Sequence, residues 1–306
     1  IINGSINLGP LGTMAVHGLL VGNKEGVVAN LQLGVGTGEQ VVRATGFSLG
    51  AVFQLEINTT GSAAEIERFK IENGSVVIDG ATGKFVTEKV AILAGTVRVF
   101  SYGHLDFAGS FTINGRFFLT SGTQGFRMEV DGAIRLGPLG SMAVYGFLNV
   151  NSAGVVATLQ MGGGASKTGN GFGFSLAAVF QLEINTTNSQ QTISRFGVNV
   201  QTGEVLGSQT VAIPARTVRV FAGGSLNLAG SFSIKGKFEL TVTPDGLSIL
   251  FDSSLNMFGS YLTVSGSGSI CNGGIAINIT LKSGQSTSSF LSFAGITMTG
   301  TFQLQV

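Results

Sequence analysis

Few residues in this chain could do chemistry, and their spacing narrows the choice further. The two histidines, His17 and His104, are the natural candidates for a general base or a metal ligand. Both fall on the polar side of alternating segments, and internal copies of those segments carry Tyr145 and Ser225 instead. A base or ligand should recur with its scaffold, so both read as solvated surface histidines. The one cysteine, Cys271, cannot form an internal disulfide, and no HExxH or Cys/His spacing suits zinc. Gly162-Gly163-Gly164-Ala165-Ser166-Lys167-Thr168 has the outline of a phosphate-binding loop. Ser166 stands where that motif needs glycine, no helical pattern follows, and the matching GVGTGEQ at 34–40 has no lysine. A flexible turn is the better reading.

The carboxylates are equally unpromising as a catalytic set. The 16 acidic residues are scattered, with no DxDxDG or GGxGxD series for calcium. Glu56 and Glu183 recur in FQLEINTT, beside recurring Arg98 and Arg219. Cross-strand Glu–Arg pairs on the polar face follow, each contributing about 0.2–1 kcal/mol. A paired-carboxylate hydrolase would need a second recurring acid beside them, and the sequence offers none. No GxSxG elbow with His and Asp can be assembled. The expectation is therefore no enzyme, with no catalytic, cofactor-binding or metal residue. Asn58-Thr59-Thr60 and Asn185-Thr186-Thr187 are sequons, as are those at Asn3, Asn73 and Asn278. An Asx-turn ending the strand accounts for NTT, and glycosylation of Asn58 and Asn185 ranks second.

Composition agrees that the chain is built rather than reactive. It has 306 residues with 48 glycines, 23 Phe, no Trp, 43% hydrophobic and only 11% charged residues. Four prolines and no Gly-X-Y period exclude collagen, and the apolar content excludes disorder. A net charge of +1 gives no electrostatic case for nucleic acid or an anionic membrane. No apolar run reaches the ~18 residues of a membrane-spanning helix.

The scaffold is revealed by self-comparison. GPLGTMAV at 9–16 returns as GPLGSMAV at 137–144, and FSLGAVFQLEINTT at 47–60 returns as FSLAAVFQLEINTT at 174–187. TVRVF at 96–100 returns at 217–221, and LDFAGSFTINGRFFL at 105–119 as LNLAGSFSIKGKFEL at 226–240. The expected organisation is the C-terminal part of one repeat unit at 1–94, a complete unit at 95–215 and the N-terminal part of the next at 216–306. The chain is accordingly expected to be a window of a longer array.

Within each unit apolar residues alternate with small or polar ones, the period of a half-buried strand. The alternation runs through 126–150 and 217–242, implying strands or strand pairs about 80 Å long at ~3.3 Å per residue. Asn23-Lys24-Glu25-Gly26, Gly122-Thr123-Gln124-Gly125, Asn151-Ser152-Ala153-Gly154, Thr243-Pro244-Asp245-Gly246 and Asn272-Gly273-Gly274 read as hairpin turns between antiparallel neighbours. The excursions 61–94 and 188–215 carry turn-like DGATG and QTGE with shorter strands such as 196–200, and 63–68 is helix-like for one turn at most. Glycine falls every sixth residue on one face, at 103, 109 and 115 and at 224, 230 and 236. Strand glycines permit a bend or the close approach of another backbone. The expected fold is all-β: tandem repeats of long antiparallel amphipathic strands forming an elongated β-tube or solenoid-like stack.

LAGSFSIKGKFEL, LGPLGSMAVYGFL and FQLEINTT resemble segments of giant, repeat-rich bacterial cell-surface proteins of the LEPR-XLL type. The resemblance spans essentially the whole chain. It implies a very long secreted or surface-anchored protein with a structural or adhesive role, and it transfers no catalytic residue. The function expected is thus a structural repeat segment of an extracellular filament, sheath or adhesin stalk. Its partners are neighbouring repeat units and identical chains. The alternative is a hydrophobic conduit for lipid, lined by Phe111, Phe117, Phe232 and Phe238. A transmembrane β-barrel ranks third, because runs of ~25 residues exceed the ~9–11 needed to span.

Overall fold

The computed structural model describes residues 2–8, 11–34, 39–73, 75–107, 111–122, 125–162, 167–171, 174–228, 232–243, 246–257, 260–271, 274–283, 290–293, 296–299 and 302–305. The described residues are all-β, apart from short 3₁₀ segments such as Gly137–Leu139. The chain divides into two compact units. The first comprises 1–133, 145–157 and 186–188, and the second 134–144, 158–185 and 189–306.

In the first unit, Ile2–Asn7 pairs with Thr13–Asn23, which pairs in turn with Gly26–Leu33. Gly26–Leu33 and Gln40–Ala44 lie along one edge of Phe47–Asn58, whose other edge takes Thr96–Phe107. Thr96–Phe107 then pairs with Phe111–Gly122. In the second unit, Phe174–Asn185 lies between Lys167–Gly171 and Thr217–Leu228. An antiparallel series follows through Phe232–Thr243, Gly246–Met257, Ser260–Cys271 and Gly274–Ser283. Among the described residues every ladder is antiparallel, as it must be where a short reversal joins the two strands.

The long alternating runs are strand pairs, each member 11 or 12 residues long. The 217–242 run is Thr217–Leu228 followed by Phe232–Thr243, with Leu228 opposite Phe232. Likewise Phe107 stands opposite Phe111. The 126–150 run divides into Gly125–Arg135 and Ser141–Asn151 around the 3₁₀ turn. Gly140 has φ +83° there, a conformation open to glycine at little cost, and Gly12 in the matching GPLG also has φ +83°. Alternation persists across these breaks because both arms keep the same face inward. The chain reverses where expected at three of these places, pairing Asn23 with Gly26, Thr243 with Gly246 and Cys271 with Gly274.

The two excursions fold as β-ribbons. In the first unit Ala64–Phe69 pairs with Thr87–Ile92, and the small pair Ile71–Glu72 with Ser75–Val76 extends it. The helix-like segment 63–68 is therefore strand: Glu65, Glu67 and Arg68 favour helix locally, but the six-residue ladder to 87–92 outweighs that weak preference. In the second unit Gln191–Val198 pairs with Val205–Ile213, so the short strand read at 196–200 begins earlier and ends at Val198.

The apolar side of the sheet packs as the alternation requires. Leu49, Phe53, Leu105, Phe107, Ile113 and Phe117 are buried in the first unit, and Leu176, Leu182, Val220, Leu226 and Phe238 in the second. Glycine at 103 and 224 serves close approach. A methyl group on Gly103 would overlap the Gly50 carbonyl oxygen, and one on Gly224 the Ala177 carbonyl oxygen. Gly109 and Gly230 lie outside the described residues.

Candidate functional site: two buried Glu–Arg clusters under the ribbons

The strand Phe47–Asn58 carries Gln54, Glu56 and Asn58 on the side opposite Phe53, Leu55 and Ile57. Such residues normally face water. Here all three are buried, with Glu56 and Asn58 fully so, because the first ribbon lies over them. Each one holds the ribbon. Gln54 donates from Nε2 to the Glu67 carbonyl at 2.6 Å and accepts at Oε1 from the Phe69 N–H at 3.1 Å. Glu56 accepts two bonds from Arg68 of the ribbon, at 2.6 and 3.1 Å. It accepts a third from Arg98 Nε at 2.8 Å. Arg98 stands opposite Glu56 in the ladder, the register anticipated from sequence.

The second unit repeats the arrangement with matching residues. Gln181 donates to the Ser194 carbonyl at 2.9 Å. Glu183 accepts from Arg195 at 2.5 and 2.6 Å and from Arg219 Nε at 2.9 Å. Arg219 is the ladder partner of Glu183. The pairs expected at the surface are thus desolvated clusters, which corrects the small energy assigned to them. Removing one partner of a buried pair costs about 3–5 kcal/mol, because the remaining charge is left uncompensated.

Arg68 and Arg195 were not foreseen. A signal was present: Ile66-Glu67-Arg68-Phe69 and Ile193-Ser194-Arg195-Phe196 share the pattern Ile-x-Arg-Phe at the same spacing that separates the two FQLEINTT segments. Glu239 was also missed. It approaches Arg219 at 2.8 Å and Arg195 at 3.7 Å, so a second acid does join Glu183. Arg195 and Arg219 each contact both carboxylates, so the arrangement is an ion-pair network.

The NTT segments close each ribbon. Asn58 Oδ1 accepts from the Thr60 N–H at 3.0 Å, the Asx-turn expected of this motif. Its Nδ2 donates to the carbonyls of Ser62, Ile92 and Leu93 at 2.9, 3.2 and 3.1 Å. Asn185 Nδ2 donates to Ser189, Ile213 and Pro214 at 2.9, 3.2 and 2.8 Å. Both residues are fully buried. An N-linked glycan attaches through this nitrogen, so neither sequon is available in the folded chain.

The remaining sequence candidates are not brought together. His17 is exposed, with Nδ1 3.0 Å from Asn3 Oδ1. His104 is half-buried in the first unit, with Nδ1 3.0 Å from Glu39 and Nε2 3.4 Å from Asp106. Lys167 and Thr168 lie in the strand Lys167–Gly171, and residues 163–166 fall outside the described set. Among the described residues, no group of His, Cys, Asp and Glu is placed to hold a metal ion, and no helix is long and apolar enough to cross a membrane. Phe111, Phe117 and Phe238 are buried, whereas the side chain of Phe232 is not described.

Compared with known proteins, the chain matches no family model, no curated protein and no solved structure.

Proposed function

We propose that the chain is a non-catalytic structural repeat segment of a giant extracellular or cell-surface protein, built to be extended into a filament, sheath or adhesin stalk. The observation that carries this reading is the twice-built clasp. Glu56, Arg68 and Arg98 are matched by Glu183, Arg195 and Arg219, with the same cross-strand register and the same Asn-held ribbon base. A chain that spends its most buried polar groups on fastening its own ribbons is organised for mechanical integrity. Tandem units arranged as a tube or stack would bury a continuous core and permit extension without a new fold. The resemblance of LAGSFSIKGKFEL and FQLEINTT to giant surface proteins supports the same reading. Electron microscopy of the purified protein tests it: rods or fibres are expected, and only small compact particles would sink it.

The conduit reading has one observation in its favour. In the first unit a cavity of about 260 Å³ is lined by Ile6, Leu8, Leu55, Val99, Leu119 and Phe126, among others. Native mass spectrometry of freshly purified protein decides this alternative, which requires a co-purifying lipid.

A further inference from the structure

The first ribbon leaves an open cleft of about 330 Å³ between its tip and the sheet. Val76, Ile78 and Phe85 of the ribbon form one wall, and Tyr102 and Gly103 of the strand Thr96–Phe107 contribute to the floor. Tyr102 packs with Phe85 and Val76 against the buried cluster of Val52, Phe69 and Phe100, so its ring is fixed. Phe85 is itself held by Phe69, with ring centroids 4.4 Å apart.

The polar groups of this cleft sit around that aromatic surface. Glu39, Ser75, His104 and Asn114 line it. The His104 ring is steadied between Glu39 and Asp106. Among the described residues, the Tyr102 hydroxyl, the Ser75 hydroxyl and the Asn114 amide have no protein hydrogen-bond partner. Each of these groups can both donate and accept.

The matching place in the second unit is built differently. The counterparts of Tyr102, His104 and Asn114 are Gly223, Ser225 and Lys235. There the ribbon closes down on the sheet: a methyl group on Gly223 would meet Val198 at 2.5 Å and the Phe196 ring at 3.1 Å. The Ser254 hydroxyl also donates to the Gln201 carbonyl at the ribbon tip, at 3.1 Å. One copy of the element fills this space with its own side chains, and the other presents an aromatic platform ringed by hydrogen-bonding groups.

We propose that this cleft binds a sugar, which stacks a face of C–H groups on Tyr102 and bonds its hydroxyls to Asn114, Ser75 and Glu39. The volume suits a mono- or disaccharide, at the small end of ligand sites. Sugars present an apolar ring face and a rim of hydroxyls that donate and accept, which is the complement of this surface. A simple cation is the poorer match, because Glu39 is the one carboxylate among the residues lining the cleft and His104 already engages its Oε1, leaving a single oxygen that suits a hydroxyl donor. Burial pushes the Tyr102 phenol above its ordinary value, against a smaller opposing pull from Arg116, so the hydroxyl remains a donor at neutral pH.

The test is saturation-transfer NMR on the whole 306-residue chain, with maltose, lactose, diacetylchitobiose and choline as separate probes. Transfer to the ring C–H protons of at least one disaccharide is expected, with a dissociation constant on the order of millimolar. Tyr102→Ala and Asn114→Ala should each weaken binding about tenfold or more, whereas Lys235→Ala in the second unit should leave it unchanged. Asn114 is exposed, so its variant keeps the fold, which circular dichroism checks. No transfer to any sugar, transfer to choline alone, or binding indifferent to Asn114→Ala overturns the proposal. These outcomes are independent of rod formation, so the site and the filament reading fail separately.

Discussion

The two Glu–Arg clusters do the same task with different charge balance. In the first, one carboxylate, Glu56, faces two guanidiniums, Arg68 and Arg98. In the second, Glu239 joins Glu183 against Arg195 and Arg219. The position matching Glu239 is Phe118. Arg98 lies over the Phe118 ring at 4.5 Å and Arg68 over Phe100 at 4.6 Å, so π faces take up the cationic surplus. The second cluster keeps one such contact, Arg195 over Phe221 at 4.0 Å. Exposure follows charge: the arginine side chains are 14% and 27% exposed in the first cluster, against 10% and 16% in the second. A surplus guanidinium keeps contact with water, and a compensated one can be buried further.

The largest test removes the central acids. Glu56→Gln and Glu183→Gln should each cost about 3–5 kcal/mol in urea denaturation followed by circular dichroism. Glu56→Gln should be at least as severe, because Glu239 still faces the arginines of the other cluster. Costs below about 1 kcal/mol at both sites would return the pairs to ordinary surface ion pairs.

A smaller loss is expected where the ribbons are tied. Asn58→Asp or Asn185→Asp sets a carboxylate against carbonyl oxygens that now accept hydrogen bonds, costing about 1–3 kcal/mol. Peptide mass mapping after expression in a glycosylating host should find both asparagines bare. A glycan on either would contradict the buried clasp.

Exchanging the distinguishing residues sharpens the comparison. Glu239→Phe should destabilise the second unit by about 1–3 kcal/mol through the lost charge-assisted bond. Phe118→Glu should nearly balance, within about 1 kcal/mol, since a new ion pair replaces cation–π contacts of similar size. If Glu239→Phe is silent, the two clusters are compensated alike.

The smallest effect lies at the ribbon tips. Asp79 accepts from the N–H groups of Ala81 and Thr82, and Asn199 accepts likewise from Gln201 and Thr202. The Ala81 N–H is the main cause that holds the Asp79 carboxyl below its ordinary value, with Thr82 assisting. Its contribution is present above the unfolded carboxylate range and is lost as pH falls through the depressed folded value. Hydrogen exchange in acid should therefore quicken at the first tip, while the second tip, held by the uncharged Asn199 amide, is unchanged.

Much of the framework was legible. Period-2 alternation assigned the strand faces, the Asn/Gly turns assigned several reversals, and the recurrence of Glu and Arg in facing segments gave the Glu56–Arg98 and Glu183–Arg219 registers. NTT gave its Asx-turn. The helical propensity of 63–68 misled because a ladder formed 20 or more residues away decides that segment. Arg68 and Arg195 were obscured for the same reason: Ile-x-Arg-Phe recurs, but nothing local says which strand the arginine meets.

What the sequence determined by itself is which side chains share a face, because a strand alternates sides whatever surrounds it. What the tertiary structure decided is whether the second face is wet. Gln54, Glu56 and Asn58 have the chemistry of a solvated surface, and only the ribbon folding back over them removes the water. That burial turns a weak surface pair into a cluster whose charges must balance, which no period or spacing can express.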